Sequence, residues 1–140
     1  MADTLPTWSH HVRVTSHLAS VPPLLSLLLD RLRDFGWLND DIFGIHLAVE
    51  EALVNAIRHG NRQRTEKRVD VSLRITVDSV WIQITDEGPG FNPTAVPDPR
   101  QDEHLTVPSG RGVLLMRHYM TRVEFNSTGN QVTMTKTRAT

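Results

Sequence analysis

Between residues 10 and 17, Val12 and Val14 alternate with Arg13 and Thr15, the period of a strand with one wet face. The period then lengthens. Pro22 and Pro23 open a helix, where a missing N–H costs little, and Leu24, Leu25, Leu28, Leu29 and Leu32 form one apolar stripe up to a stop at Gly36. Such a stripe serves a core better than a dimer seam. A longer helix is predicted from a cap at Asn39 or Asp40 to about His59, with Gly60 and Asn61 as its stop. Its apolar positions Ile42, Ile45, Val49, Ala52, Leu53 and Ala56 share a face, while Glu51, Asn55, Arg58 and His59 form a separate polar ridge. Strand alternation returns over 69–77 and 80–84, with Asp78-Ser79 as the hairpin turn between them. From 87 to 109 the pattern is lost among Pro89, Pro93, Pro97, Pro99 and Pro108; a loop of that length in a compact domain is usually functional. A helix over 109–120 follows, with Val113, Leu114, Met116 and Tyr119 available for packing. Strands over 122–126 and 131–137 then meet at Thr128-Gly129-Asn130. With no internal repeat, these elements predict one domain over 1–140. Its fold class is α+β: a two-layer sandwich with a mixed, mostly antiparallel sheet and helices on one face.

Composition narrows the function classes. Fifteen Lys and Arg against sixteen Asp and Glu leave a net charge of −1, so no global basic field argues for nucleic acid. The absence of cysteine removes disulfides, thiol nucleophiles and thiolate metal sites. No apolar run approaches the ~20 residues of a membrane span. The first residues lack the basic and apolar regions of a secretory signal, so a cytoplasmic location is expected.

Three short motifs carry candidate chemistry. In Glu51-Ala-Leu-Val-Asn55-Ala-Ile-Arg58-His59-Gly60, residues four apart are neighbours on the helix, so Glu51 and Asn55 point the same way. An amide oxygen suits Mg²⁺ whose shell is completed by phosphates and waters, and a carboxylate one turn away can accept a proton. Arg58 could meet phosphate oxygens and His59 could line a pocket. In Ile82-Gln-Ile-Thr-Asp86-Glu-Gly88-Pro-Gly90-Phe91 a strand ends in an aspartate, able to accept a hydrogen bond from an exocyclic amine such as adenine's. Guanine presents a carbonyl there. The glycines allow close backbone approach. In Ser109-Gly110-Arg111-Gly112 a glycine turn leads into a helix, whose N-terminal N–H groups can receive phosphate, with Arg111 as an added charge. Each motif alone has an ordinary counterpart: a solvated helix face, an Asp-Gly turn, a flexible hinge. Neither glycine turn carries the phosphate-loop lysine pattern or the dinucleotide fingerprint.

In this order, the three motifs resemble the GHKL (histidine-kinase-like) ATPase superfamily, and within it the bacterial anti-sigma factor serine/threonine kinases. Val49 through Gly60 looks like their first box, Asp86 through Phe91 their second, Gly110 through Met116 their third, and Gly129 through Lys136 their closing hairpin. The resemblance covers residues 10–137. It implies ATP and Mg²⁺ as cofactors, with Asn55 ligating Mg²⁺ and Glu51 as the catalytic base. Asp86 would read the adenine amine, Gly88 and Gly90 would shape the base pocket, and Gly110, Arg111 and Gly112 would approach the phosphates. Arg58 and His59 would contact nucleotide, and Thr133 would reach adenine through water. Residues 91–109 would be an ATP lid and residues 1–8 a flexible N-terminal tail. Two departures, Asn92 for an expected Asp and Val113 for Leu or Met, leave lid behaviour and partner choice open.

The implied activity is transfer of the ATP γ-phosphoryl group to a serine or threonine of a STAS-type anti-sigma antagonist. Partner switching of a sigma factor would follow, hence transcription regulation, with a homodimer expected and neither nucleic acid nor membrane bound directly. One alternative is a module that senses ATP without transferring phosphate. The other is a histidine kinase catalytic domain. That reading needs an upstream helical segment with a phosphorylatable histidine, whereas the residues before Asn39 read as strand plus core helix. Glu51 also stands where histidine kinases commonly have a second Asn.

Overall fold

The computed structural model describes residues 6–89 and 110–138. Within them the chain order is β1 (Trp8–Thr15), α1 (Val21–Asp34), α2 (Asn39–Asn55), β2 (Arg68–Ile75), β3 (Ser79–Thr85), α3 (Gly110–Tyr119), β4 (Arg122–Phe125) and β5 (Gln131–Thr137). The strands lie in the order β1-β2-β3-β5-β4. All four pairings are antiparallel, so the parallel part of the expected mixed sheet is not among the described strands. The reason is topological. β4 runs in the same direction as β3, but β5 returns by a tight hairpin and inserts between them.

Strand parity sets the core. Val69, Val71, Leu73 and Ile75 of β2, Val80, Ile82 and Ile84 of β3, and Val132 and Met134 of β5 are all buried on one face. The opposite face is polar: Gln83 donates to Thr133 at 3.1 Å, and the Arg74 guanidinium lies over the Trp81 ring. The α1 stripe packs into the core through Leu24, Leu25, Leu28 and Leu32, as expected for a core helix. Asn39 and Asp40 lie inside the first turn of α2 rather than at its cap; Leu38 is the cap and makes no side-chain bond, while Asp40 and Asp41 place charge favourably on the helix dipole and Asp41 also faces Lys136 at 4.0 Å. Gly36, with φ of +77°, ends α1: its N–H meets Arg33 O while that of Trp37 meets Leu32 O, a closure needing a left-handed residue. β1 begins at Trp8, opposite Ile75, so that end of the expected tail belongs to the sheet. Leu114, expected to pack, is exposed on α3, whose buried side is set by Val113 and Met116. No described helix is long and apolar enough to cross a membrane.

α2 and α3 run past each other in opposite directions, which brings the later part of α2 beside the start of α3. Near the start of α2, a Cβ on Gly44 would stand 2.7 Å from Cδ1 of Tyr119, at the end of α3. Further along α2, a Cβ on Gly112 would stand 2.5 Å from Oε1 of Glu51. Gly44→Val therefore forces the helices apart, an overpacking that costs about 1–3 kcal/mol. The expected result is a lower urea midpoint at unchanged slope; an unaltered midpoint would show that the Gly44–Tyr119 contact does not set the spacing.

Candidate active site

Gly44, Ala48, Glu51 and Asn55 follow one another at spacings of four, three and four, which makes them one ridge of α2. Because Gly44 meets Tyr119 and Glu51 meets Gly112, this ridge faces α3. Glu51 is half-buried against the first turn of α3, and Asn55 lies one turn further on, 7% exposed. The Asn55 Nδ2 atom is buried with no hydrogen-bond partner among the described residues. A carboxamide turns over to present either its nitrogen or its oxygen, so Asn55 can offer a donor or a hard oxygen ligand at this point. Among the described residues no cluster of three or more His, Cys, Asp and Glu could hold a metal by itself. A cation on one amide oxygen, completed by phosphates and waters, fits these residues.

Beyond Asn55 the helix changes form. Residues Ala56–Gly60 make a π-turn, closed by Asn61 N–H on Ala56 O at 2.8 Å, where an α-helix to His59 was expected. Wide turns of this kind are frequent at functional sites. The change of phase leaves Arg58 exposed and His59 half-buried, and it carries Gly60 to the end of β3. There the Asp86 carboxylate occupies the space where a Gly60 side chain would begin, and the Gly60 carbonyl fills the corresponding space on Gly88. Asp86 Oδ1 accepts the Gly88 N–H at 2.7 Å.

The backbone around Asp86 is held from both sides. From β5, Asn130 O accepts the Asp86 N–H at 2.9 Å, and Asn130 Nδ2 donates to Asp86 O at 3.1 Å. Asn126 orders that hairpin, its Oδ1 accepting the N–H groups of Gly129, Asn130 and Gln131. From the end of the π-turn, Asn61 Oδ1 accepts the Glu87 N–H at 2.7 Å. Loss of water around Asp86 pushes its carboxyl up to about 6; the Gly88 N–H and the charge of Lys67 oppose this only in part. An acceptor kept partly dry, with one oxygen committed to Gly88, is suited to a further donor from a ligand.

The expected residues thus fall into groups. Glu51 and Gly112 meet at the α2–α3 junction with Asn55 one helical turn beyond Glu51, and Asp86 and Gly88 come together on Gly60. Gly110 opens α3, and Arg111 beside it is exposed. Gly90, Asn92 and the expected lid over 91–109 lie outside the described residues. Thr133 does not join either group. It alternates with buried Val132 and Met134, so its side chain stands on the outer face of the sheet, bonded to Gln83, away from the helices. The reading at Thr133 fails on strand parity. Three residues that build the site escaped the sequence reading. Asn61 and Asn130 registered only as turn signals, and Asn126 only as the end of a strand; nothing in their immediate sequence distinguishes an Asn bonded into the fold from one that is merely solvated.

Comparison with known proteins agrees with this geometry. Residues 14–136 match the model of the histidine kinase-like ATPase domain. The anti-sigma F factor of Bacillus subtilis is 33% identical over 104 residues, covering 69% of this chain and 70% of that protein. The anti-sigma F factor of Heyndrickxia coagulans is 31% identical over 121 residues, covering 83% and 71%. The serine/threonine-protein kinase BtrW of Bordetella bronchiseptica is 32% identical over 80 residues, 56% of each chain. An α2 ridge carrying Glu51 and Asn55, an Asp86 turn seated on Gly60 and a glycine start to α3 are thus combined with a match over nearly the whole length: the chain belongs to the histidine kinase-like ATPase domain family.

Proposed function

We propose that this protein is an anti-sigma-type serine/threonine kinase. It would transfer the γ-phosphoryl group of ATP to a hydroxyl of a STAS-type antagonist and hold a sigma factor when that antagonist is phosphorylated. The observation that carries the reading is the placement of Glu51 beside Gly112 at the start of α3, one turn from the spare amide atom of Asn55. Gly60 and Glu51 are separated by at most about 13.5 Å at 1.5 Å per residue, the π-turn shortening the path. That span suits the base of an extended nucleoside triphosphate at Asp86 and its terminal phosphate at α3. The names of its relatives, anti-sigma F factor and serine/threonine-protein kinase, support both halves of the reading. Residence in the cytoplasm, a homodimeric state and a role in transcription regulation belong to the same proposal.

The residues divide the work. Asp86 accepts the adenine amine. The α3 N–H groups, with Gly110 and Gly112 leaving room, take phosphate oxygens. Asn55 would hold Mg²⁺, which supplies charge neutralisation on the phosphates when bound. Glu51 accepts the proton of the attacking serine or threonine; that oxygen bonds to the γ-phosphorus as the bond to the bridging oxygen breaks, and ADP leaves. The phosphate adds about −1.5 to −2 charges to the antagonist, enough to change which partner it fits.

Incubation with labelled ATP, Mg²⁺ and a STAS-domain substrate should give phosphoserine or phosphothreonine on that substrate. A nucleotide-dependent complex with no phosphoprotein would instead mark an ATP-sensing module. Glu51→Gln keeps the acceptor geometry and removes the base, so transfer should slow by about a hundredfold or more with ATP affinity nearly unchanged. Equal loss of affinity and rate refutes the role given to Glu51.

The Asp86 carboxyl supplies a pH test. Its folded-state value is raised, so the stability it contributes is fully present below the unfolded value of 3.8 and lost as pH rises through about 6. At pH 8 the nucleotide-free protein carries this penalty, and Asp86→Asn should melt no lower than wild type. ATP, donating to the carboxylate, favours the ionised form. Affinity in the wild type should therefore fall as pH drops through about 6, while Asp86→Asn shows no such step. At pH 8 Asp86→Asn should bind ATP roughly ten- to a hundredfold more weakly. Titration calorimetry of both proteins checks this; parallel pH profiles would remove Asp86 from the base pocket.

A further inference from the structure

Asn61 is completely buried, yet it is polar, and both its side-chain nitrogen and its side-chain oxygen have a partner. Its backbone N–H closes the π-turn on Ala56 O at 2.8 Å. Its side chain donates from Nδ2 to Arg68 O at 3.0 Å and accepts at Oδ1 from Glu87 N at 2.7 Å. The position of those two partners is informative. The β2–β3 register pairs Asp70 with Thr85, Ser72 with Gln83 and Arg74 with Trp81, so the next pair of the same kind would be Arg68 with Glu87. The ladder stops before that pair. In a regular ladder the Glu87 N–H would donate directly to Arg68 O. Here the Asn61 carboxamide stands between them and makes both bonds itself, while Arg68 N donates to Glu87 Oε2 at 2.5 Å.

One side chain therefore replaces a rung of the sheet. The strand end is held off β2 by the width of a carboxamide, and the chain turns at Glu87 instead of running on. The opening lies where Gly60 meets the Asp86 carboxylate and where the Gly60 carbonyl meets Gly88. Because Asn61 follows Gly60 directly, the residue that opens the ladder also fixes the helix end lodged beside it.

We propose that Asn61 is a positioning residue for base recognition: it sets the Asp86 turn against Gly60 and so determines the preference for adenine over guanine. It touches no nucleotide in this account and acts through Glu87 and Asp86. The inference rests on the nucleotide reading given above. A residue that served stability alone would weaken all nucleotides alike when changed; one that aims Asp86 would weaken chiefly the nucleotide whose amine Asp86 receives.

The test is competitive binding of ATP and GTP to the wild type, Asn61→Ala and Asn61→Asp, with urea unfolding to verify that each variant folds. Asn61→Ala should lose about tenfold in ATP affinity, the scale of one hydrogen bond, and change GTP affinity much less. In the phosphotransfer assay KM for ATP should rise while kcat at saturation stays nearly constant. Asn61→Asp keeps an acceptor for Glu87 N but sets an oxygen against Arg68 O, so its loss of preference should be intermediate; it provides the comparison if Asn61→Ala fails to fold. Equal weakening of both nucleotides, or an unchanged ATP-to-GTP ratio in a folded variant, overturns the positioning role. Wild-type protein that binds ATP without preferring it to GTP also overturns it, while leaving the ATP site standing. Wild-type protein that binds neither nucleotide removes the underlying reading as well.

Discussion

The Asp86 carboxylate rests on Gly60 where a side chain would otherwise begin, and Gly88 rests on the carbonyl of that same glycine. Much of the architecture can be traced from this contact. It needs a helix end without a Cβ, a strand end that has left its ladder, and a turn tight enough to fold back on both. The hydrophobic layer brings the elements to the right distance: Leu53 and Ile57 at the end of the helix, and Ile82 and Ile84 on the strand, are at most 1% exposed. Apolar packing alone has no reason to align two backbones so closely. The alignment comes from directional bonds, made mostly by asparagine side chains, which can donate and accept from one planar group.

The arrangement has an electrostatic cost. A carboxylate deprived of water is poorer in energy than one at the surface, and a single peptide N–H from Gly88 does not offset that. Proteins commonly keep such unfavourable groups where a ligand will relieve them, and the buried Nδ2 of Asn55, without a hydrogen-bond partner among the described residues, is a second instance just before the π-turn that ends in Gly60. Before Asn55 α2 is ordinary, with its apolar positions buried in the core. The same element thus supports the core along one face and carries the candidate site on another ridge.

Much of this was legible in the residues themselves. The leucines of α1, the apolar face of α2 and the alternating strands follow from periodicity because each had one face to bury. Glu51 and Asn55 were legible because residues four apart share a helix face, and Asp86 because an apolar strand ends there between turn residues. The errors have physical causes. Thr133 was placed by its motif neighbourhood, but a strand alternates sides and its neighbours Val132 and Met134 had already claimed the inner one. Leu114 looked like a packing residue because apolar side chains usually are, yet α3 is broad enough to bury only the side carrying Val113 and Met116. The α+β sandwich was legible; that every pairing among the described strands is antiparallel depended on where β5 inserts, which is decided by tertiary contacts. The π-turn and the bonds of Asn61 depend on groups far away in sequence, so no local pattern could announce them.

The wide turn between Ala56 and Gly60 has a consequence for how the sequence can change over evolution. A π-closure holds one more residue than an α-turn, so the segment stores a unit of chain length inside a helix. Removing any one of those residues would let the helix close normally and keep its hydrogen bonds, so the lesion would be nearly silent for helicity. It would also rotate everything beyond by about 100° and shorten the path to β2, turning Gly60 out of the crevice that Asp86 occupies. Length here is constrained more tightly than composition: the segment can exchange exposed side chains such as Arg58, while an insertion or deletion of a single residue puts the two ends of the binding crevice out of phase.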